Sequence, residues 1–421
     1  MFGFLVPISY ELVFSSEEYL ARTGPKLNYS SSQYTDNEIF IPSGTILFER
    51  NIQRQPIEFF TSLGLRAFFR KPTKNIDFPF DLPGLVFFLA TRYEEYLPFT
   101  ADQWGRFSSK NAVATQGDFL HQPLIECWVQ RLLLRLKEQF PDLEVNEQNY
   151  RFEPTYDIDI AWAYLHRPLL LQAASTAKDL ILQRWSSLRA RWRTWTKRQI
   201  DPFFTFDYLT NLHQRFGLKP HFFFLLADRH RNDPNISHQI PAMRRLVQQL
   251  AAQGNPCGIH PSFASNQLPA KIVEEKNRLA EILEKPVNTS RQHFLKLSFP
   301  ITYQRLIAAG IQHDYSMGYA DSVGFRASIS RAYPWYDLQN EETTTLMIHP
   351  FIAMDVTLKQ YLKLQPQAAI EVVRQLIEAA KAVQGVAGLL WHNSSFAPHE
   401  GWEGWQNAYE AIIADAVETK E

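Results

Sequence analysis

From residue 152 onward, short β-rich runs alternate with amphipathic helices, and this alternation constrains the fold of the 421-residue chain more than any other feature. The runs are Phe152–Tyr156, His221–Leu226, Cys257–Ile259, Val287–Arg291, a segment around Asp314-Tyr315-Ser316, Thr344–Ile348 and Gly388–Trp391. Helical periodicity fills the gaps at Asp207–Phe216, Pro241–Gln253, Ala270–Glu284, Ile301–Ala309 and Gln367–Val383, with a final helix near Trp402–Ala416. Strands separated by helices of this length imply parallel βα units. Roughly six to eight of them suffice to close a barrel.

Nearly every run ends in a reactive polar residue. Asp157 and Asp159 end the first, Asp228 follows the second and His260 the third. Arg291 and His293 come next, then Asp314 with Ser316, His349, and finally His392 with Asn393. In a parallel barrel such strand ends converge on one mouth, where barrel enzymes do their chemistry. One polar strand end says little, because loops are polar anyway; the repetition is the signal. The Asp157-Ile158-Asp159 spacing puts two carboxylates on the same side of an extended chain. Such a pair suits metal ligation beside a general base; it equally suits capping of a following helix.

Residues 1–148 read as a separate mixed α/β unit of unknown role. The opening MFGFLVPISYELVF lacks a basic region and a cleavage site, so a first β-strand is expected there rather than a signal peptide. Ile39–Phe48 is expected to be extended, Leu85–Tyr96 and Pro123–Phe140 helical, with Arg92-Tyr93-Glu94-Glu95-Tyr96 facing the other unit. Apolar residues are 45% of the chain, enough for large cores. A net charge of −1 argues against general affinity for nucleic acid. With only Cys127 and Cys257, no disulfide framework or Cys-based zinc site is expected. No run is long enough to span a bilayer, and a cytoplasmic location is expected.

One segment stands apart. In RWSSLRARWRTWTKRQ, residues 184–199, Trp185, Leu188, Trp192 and Trp195 recur at helical spacing among Arg and Lys. The ordinary expectation is a helix packing its Trp stripe on the protein; a lid over the site and a peripheral membrane helix are the alternatives.

Taken in order, Thr155-Tyr156-Asp157-Ile158-Asp159, Gly258-Ile259-His260-Pro261-Ser262, Ser290-Arg291-Gln292-His293, the Gly310–Gly318 stretch with His313-Asp314-Tyr315-Ser316, and Leu390-Trp391-His392-Asn393 resemble the NodB-type polysaccharide deacetylase superfamily. Ala90-Thr91-Arg92-Tyr93-Glu94-Glu95-Tyr96 and Gly324-Phe325-Arg326-Ala327 resemble segments of a bacterial branch with an extra N-terminal α/β domain. The resemblance implies a distorted (β/α) barrel of about seven strands over residues 149–421. It also implies deacetylation of an N- or O-acetylated sugar with one divalent metal, usually zinc. In that scheme Asp157 is the general base, held by Arg291, and Asp159 and His260 are metal ligands. His392 protonates the leaving group. Asp314, Ser316, Tyr319, Trp391 and Asn393 are expected to contact a carbohydrate substrate, with Trp335 as a further stacking ring.

The chain departs from the family pattern twice. Ile158 separates aspartates that are adjacent in the family, and the second ligand histidine is replaced by Ala264. A zinc site needs about three protein ligands. His293 is the candidate replacement, ahead of His349 and His313. Two other readings stay open: a metal-independent hydrolase of another non-peptide C–N bond, such as a cyclic amide, and a carbohydrate-binding relative without catalysis.

Overall fold

The computed structural model describes residues 5–72, 77–397 and 401–417. The N-terminal part holds two small sheets. β1 (Leu27–Ser30) and β2 (Ile39–Pro42) pair in parallel, while β3 (Phe60–Ser62) and β4 (Leu65–Ala67) form a hairpin. The hairpin turn, Leu63-Gly64, has positive φ at both residues, the backbone twist that matches two antiparallel strands. No strand occurs among residues 5–14, where one is expected; that stretch has no partner strand, and alternation alone does not supply one. Residues 1–4 of the same run lie outside the described residues.

A nine-stranded sheet occupies the rest. Its strands are β5 (Arg151–Ile158), β6 (His221–Phe224), β7 (Cys257–Ile259), β8 (Thr289–Ser290), β9 (His313–Met317), β10 (Tyr333–Asp337), β11 (Glu342–Pro350), β12 (Ala353–Met354) and β13 (Val386–His392). The order across the sheet is β10-β11-β9-β8-β7-β6-β5-β13-β12, parallel throughout except for β10 against β11. About seven strands are expected; the difference lies in β10, an antiparallel addition, and in one run that changes partners midway and so counts as two strands. β11 pairs with β9 as far as Pro350, and its continuation β12 pairs with β13 from Ala353. One chain segment thus reaches from one side of the curled sheet to the other. The sequence explains the burial: β6 is His-Phe-Phe-Phe and β13 is apolar until its last residue, as strands covered on both faces must be.

Helices return the chain between strands. Pro241–Ala252 is typical: proline at its first turn, then Met243, Leu246, Val247 and Leu250 buried along one stripe. The N-terminal part packs on the same hydrophobic cluster as the large sheet. Its connection is also ionic. Arg92, in left-handed backbone between the helix Leu82–Ala90 and the turn Tyr93–Tyr96, donates to Glu95 at 2.7 Å and Tyr319 Oη at 3.1 Å. Arg326 donates to both oxygens of Glu95, at 2.9 and 2.5 Å. All three charged side chains are buried.

Two helices, Leu169–Ile181 and Trp185–Trp195, form a hairpin inserted after β5. The second does not pack its Trp stripe inward. Arg191 and Thr194 are buried, whereas Trp185, Trp192 and Trp195 are exposed. Neither helix contributes a residue to the lining of the cleft described below. No described helix is long and apolar enough to cross a membrane. Cys127 and Cys257 are free thiols.

Candidate active site

Strand register assembles the site at the C-terminal ends of the parallel strands. His392, the last residue of β13, lies directly beside Asp157 of β5. On the other side the β5–β6–β7–β8 pairings bring Ile259 opposite Ser290, so that His260 and Arg291 emerge next to each other. His260 Nδ1 lies 2.5 Å from the Arg291 carbonyl oxygen, which turns Nε2 into the cleft. There it lies 3.3 Å from Asp159 Oδ1 and 3.5 Å from Asp157 Oδ2.

His293 completes a cluster. It opens a tight turn, His293–Leu295, in which Phe294 and Leu295 take left-handed backbone angles, and its Nε2 lies 3.7 Å from Asp159 Oδ2. Asp159, His260 and His293 each offer a ligand atom within 4.8 Å of the others. Two imidazoles and a carboxylate are a donor set suited to a borderline divalent cation. A second feature agrees: Asp159 Oδ1 is buried without a well-formed hydrogen bond, a costly state for a carboxylate unless a cation meets it. The residues present fit a divalent metal.

Behind these groups stand two aspartates that pattern reading misses. Asp233 accepts from His293 Nδ1 at 2.9 Å and from the Phe263 and Ala264 N–H groups at 2.6 and 3.2 Å. Asp355, just after β12, accepts from His392 Nδ1 at 2.9 Å and from the His392 backbone N–H at 2.8 Å. Both fix which imidazole nitrogen faces the cleft. Asp355 ends a strand and carries the same positional signal as the others. Asp233 lies in an irregular loop with no periodic cue, five residues beyond Asp228. Asp228 itself is exposed and pairs with Lys271 and Arg278, each at 2.7 Å.

Arg291 is fully buried. It donates to Asp157 Oδ1 at 3.2 Å, Thr155 Oγ1 at 2.7 Å and the Tyr315 carbonyl at 2.9 Å. The local charge balance is strong. Burial disfavours the cationic form of His293, yet Asp159 and Asp233 outweigh it and raise its pKa to about 9. Burial acts on His392 in the same way, and Asp355 with Asp159 raises it to about 10. Burial works against the Asp159 carboxylate, but His293, His260 and His392 hold its pKa well below the ordinary range.

The remaining expected residues fall elsewhere. Asp314, Ser316, Tyr319, Trp391 and Asn393 do not line the cleft; all five are buried, and protein partners take their polar groups where these are bonded. Asp314 accepts from Ser290 Oγ, Ser316 Oγ and the Ser316 N–H. Tyr319 Oη takes Arg92, the Asn393 amide donates to the Ile160 and Phe203 carbonyls, and the Trp391 ring packs on Tyr409. Trp335 is likewise buried. His313 and His349 bond each other at 3.0 Å, away from the cluster. The cleft wall is instead built by Gln103, Trp104 and Arg106 of the N-terminal part, facing Phe294, Met354 and Tyr361. Arg106 pins this wall, donating to the Phe294 carbonyl and Tyr361 Oη, both at 2.9 Å.

Residues 1–141 match a family model described as "Family of unknown function (DUF7033)". No curated protein matches the chain. Among solved structures the chain is similar to a polysaccharide deacetylase from Bacillus cereus, at 13% identity over 64% of this chain and 88% of that one, with a TM-score of 0.31. It is similar to the PuuE allantoinase at 11% identity, over 64% and 84% of the two chains, with a TM-score of 0.41. A family 4 carbohydrate esterase from Streptomyces lividans matches at 10% identity, over 64% and 86%, with a TM-score of 0.29.

Proposed function

We propose that the protein is a hydrolase that removes acetyl groups from an N-acetylated sugar or polysaccharide precursor by metal-assisted attack of water. One observation carries this reading: the Asp157–Arg291 pair, the Asp159–His260–His293 cluster and the His392–Asp355 pair open into a single cleft. Asp159, His260 and His293 would hold the divalent metal, zinc in the family that the sequence resembles. When bound, such an ion supplies Lewis acidity, activating water near neutrality and polarising an acyl oxygen.

The chain's own residues do the rest. Asp157, with Arg291 on Oδ1, keeps Oδ2 directed at the cluster and takes the proton of the attacking water. His392 is anchored through Nδ1 by Asp355, so its Nε2, 3.8 Å from Asp159, presents a proton to the departing amine nitrogen. Burial of this group of charges strengthens each interaction relative to water. Trp104, Phe294 and Tyr361 give the cleft aromatic surface, suited to the apolar face of a pyranose ring.

The test is release of acetate and a free amine from N-acetylated oligosaccharides by the full chain supplied with zinc. Asp157→Asn is expected to lower the rate by about a hundredfold or more while leaving metal content intact. Hydrolysis of a cyclic amide by metal-stripped protein would assign the metal-independent reading instead. Glycan binding without acetate release, unchanged by Asp157→Asn, would assign a non-catalytic one.

A further inference from the structure

The helical hairpin inserted after β5 is amphipathic the wrong way round for a soluble protein. The helix Leu169–Ile181 turns its polar residues toward the protein: Asp179 is buried, and Gln172, Ser175 and Thr176 are half-buried. Arg191 of the second helix reaches across to Asp179 at 2.6 Å and Ser175 at 2.9 Å, so polar bonds hold the hairpin together. Outward along the first helix lie Leu170, Ala173, Ala177, Leu180 and Ile181, a continuous apolar stripe at helical spacing. Leu170 is 86% exposed and Ile181 79%. Trp185, Trp192 and Trp195 of the second helix are also about half exposed. Isolated exposed apolar residues are ordinary, but a contiguous stripe of this kind marks a surface meant to be covered.

Charge decides what covers it. Residues 165–200 carry eight Lys and Arg against one acidic residue, Asp179, in a chain whose net charge is −1. A second copy docking face to face would set two strongly cationic surfaces against each other. Indole rings beside an apolar face, flanked in sequence by Arg and Lys, match the interface of a bilayer with anionic headgroups. Arg184, Arg189, Arg193, Lys197 and Arg198 are all exposed beside the Trp stripe, and Arg198 already lies over the Trp192 ring. The base of the hairpin is closed, since Asp201, which follows it, accepts from the N–H groups of Ala163, Tyr164 and Leu165, which precede it, at 2.6, 2.8 and 3.0 Å.

We propose that this hairpin docks the protein on an anionic lipid surface, with Trp185, Trp192 and Trp195 at the headgroup level and the outer stripe of the first helix in the acyl boundary. The attachment is peripheral, since neither helix spans a bilayer. It is independent of the chemistry assigned to the cleft.

The full chain is tested by sedimentation with vesicles of phosphatidylcholine alone and with about one-third phosphatidylserine. Binding to the anionic vesicles is expected, reversed by high salt, and weak or absent for the neutral ones. The triple variant Trp185→Ser/Trp192→Ser/Trp195→Ser, with its melting curve checked against the parent, is expected to bind about tenfold or more weakly. The charge variant Arg193→Glu/Lys197→Glu is expected to do the same. No binding to either vesicle would overturn the proposal. So would equal binding to both, or a dimer in solution that the tryptophan variant dissolves.

Discussion

His293 Nδ1 and Asp233 Oδ1 are 2.9 Å apart, and this bond turns His293 Nε2 toward Asp159. The same aspartate receives the N–H of Ala264, the position where the resembled family carries its second ligand histidine. The loop that carries Ala264 therefore shares an aspartate with His293, the proposed third ligand. Partners of this kind fix the tautomer and aim of a ligating imidazole. Asp233→Asn is expected to weaken zinc binding by about ten- to a hundredfold with secondary structure unchanged, measured by competition with a chromophoric chelator. Unchanged affinity would mean that His293 is not a ligand.

The buried Arg92–Glu95–Arg326 group ties the N-terminal part to the large sheet. Removing one partner of a buried ion pair leaves the others uncompensated, at a cost of about 3–5 kcal/mol. Glu95→Ala strands the Arg326 guanidinium, while Arg92 keeps Glu94 at 2.7 Å, and is expected to lower stability by about that amount in denaturant titration. A loss below about 1 kcal/mol, the scale of an exposed pair, would contradict the account.

Asp314 gives a pH signature away from the metal cluster. Burial raises its pKa from 3.8 to about 6, although Ser316 and Ser290 donate to it. The folded chain thus holds a proton that the unfolded chain has already released between these two values. The contribution of this group to stability is expected to fall by about 3 kcal/mol as pH rises from about 4 to about 6 and to be constant above that. Asp314→Asn should remove that part of the slope, which chemical unfolding at a series of pH values will show.

The legible part of the molecule is the part governed by short repeats. Asp157 and Asp159 could be placed together because two residues along a strand return to one side, and His260, His293 and His392 because parallel strands end at one edge. Asp233 was not legible, since its approach to His293 depends on how a loop folds over the sheet. The five expected substrate contacts show the limit of the strand-end rule. Residues within or just beyond a strand also point into the protein interior, where Asp314 and Ser316 bond each other. The tryptophan stripe shows another limit: helical spacing reveals an apolar face but not whether it points inward. Arg191, bonded to Asp179, settles that direction here.

The most direct test of the account is the metal content of protein purified without chelator. Elemental analysis is expected to give about one divalent ion per chain, as a single three-ligand site requires. That ion should be lost in His293→Ala as completely as in Asp159→Ala or His260→Ala, with acetate release lost alongside. Metal-free protein that still hydrolyses its substrate, or a His293→Ala variant that keeps its ion, would contradict it.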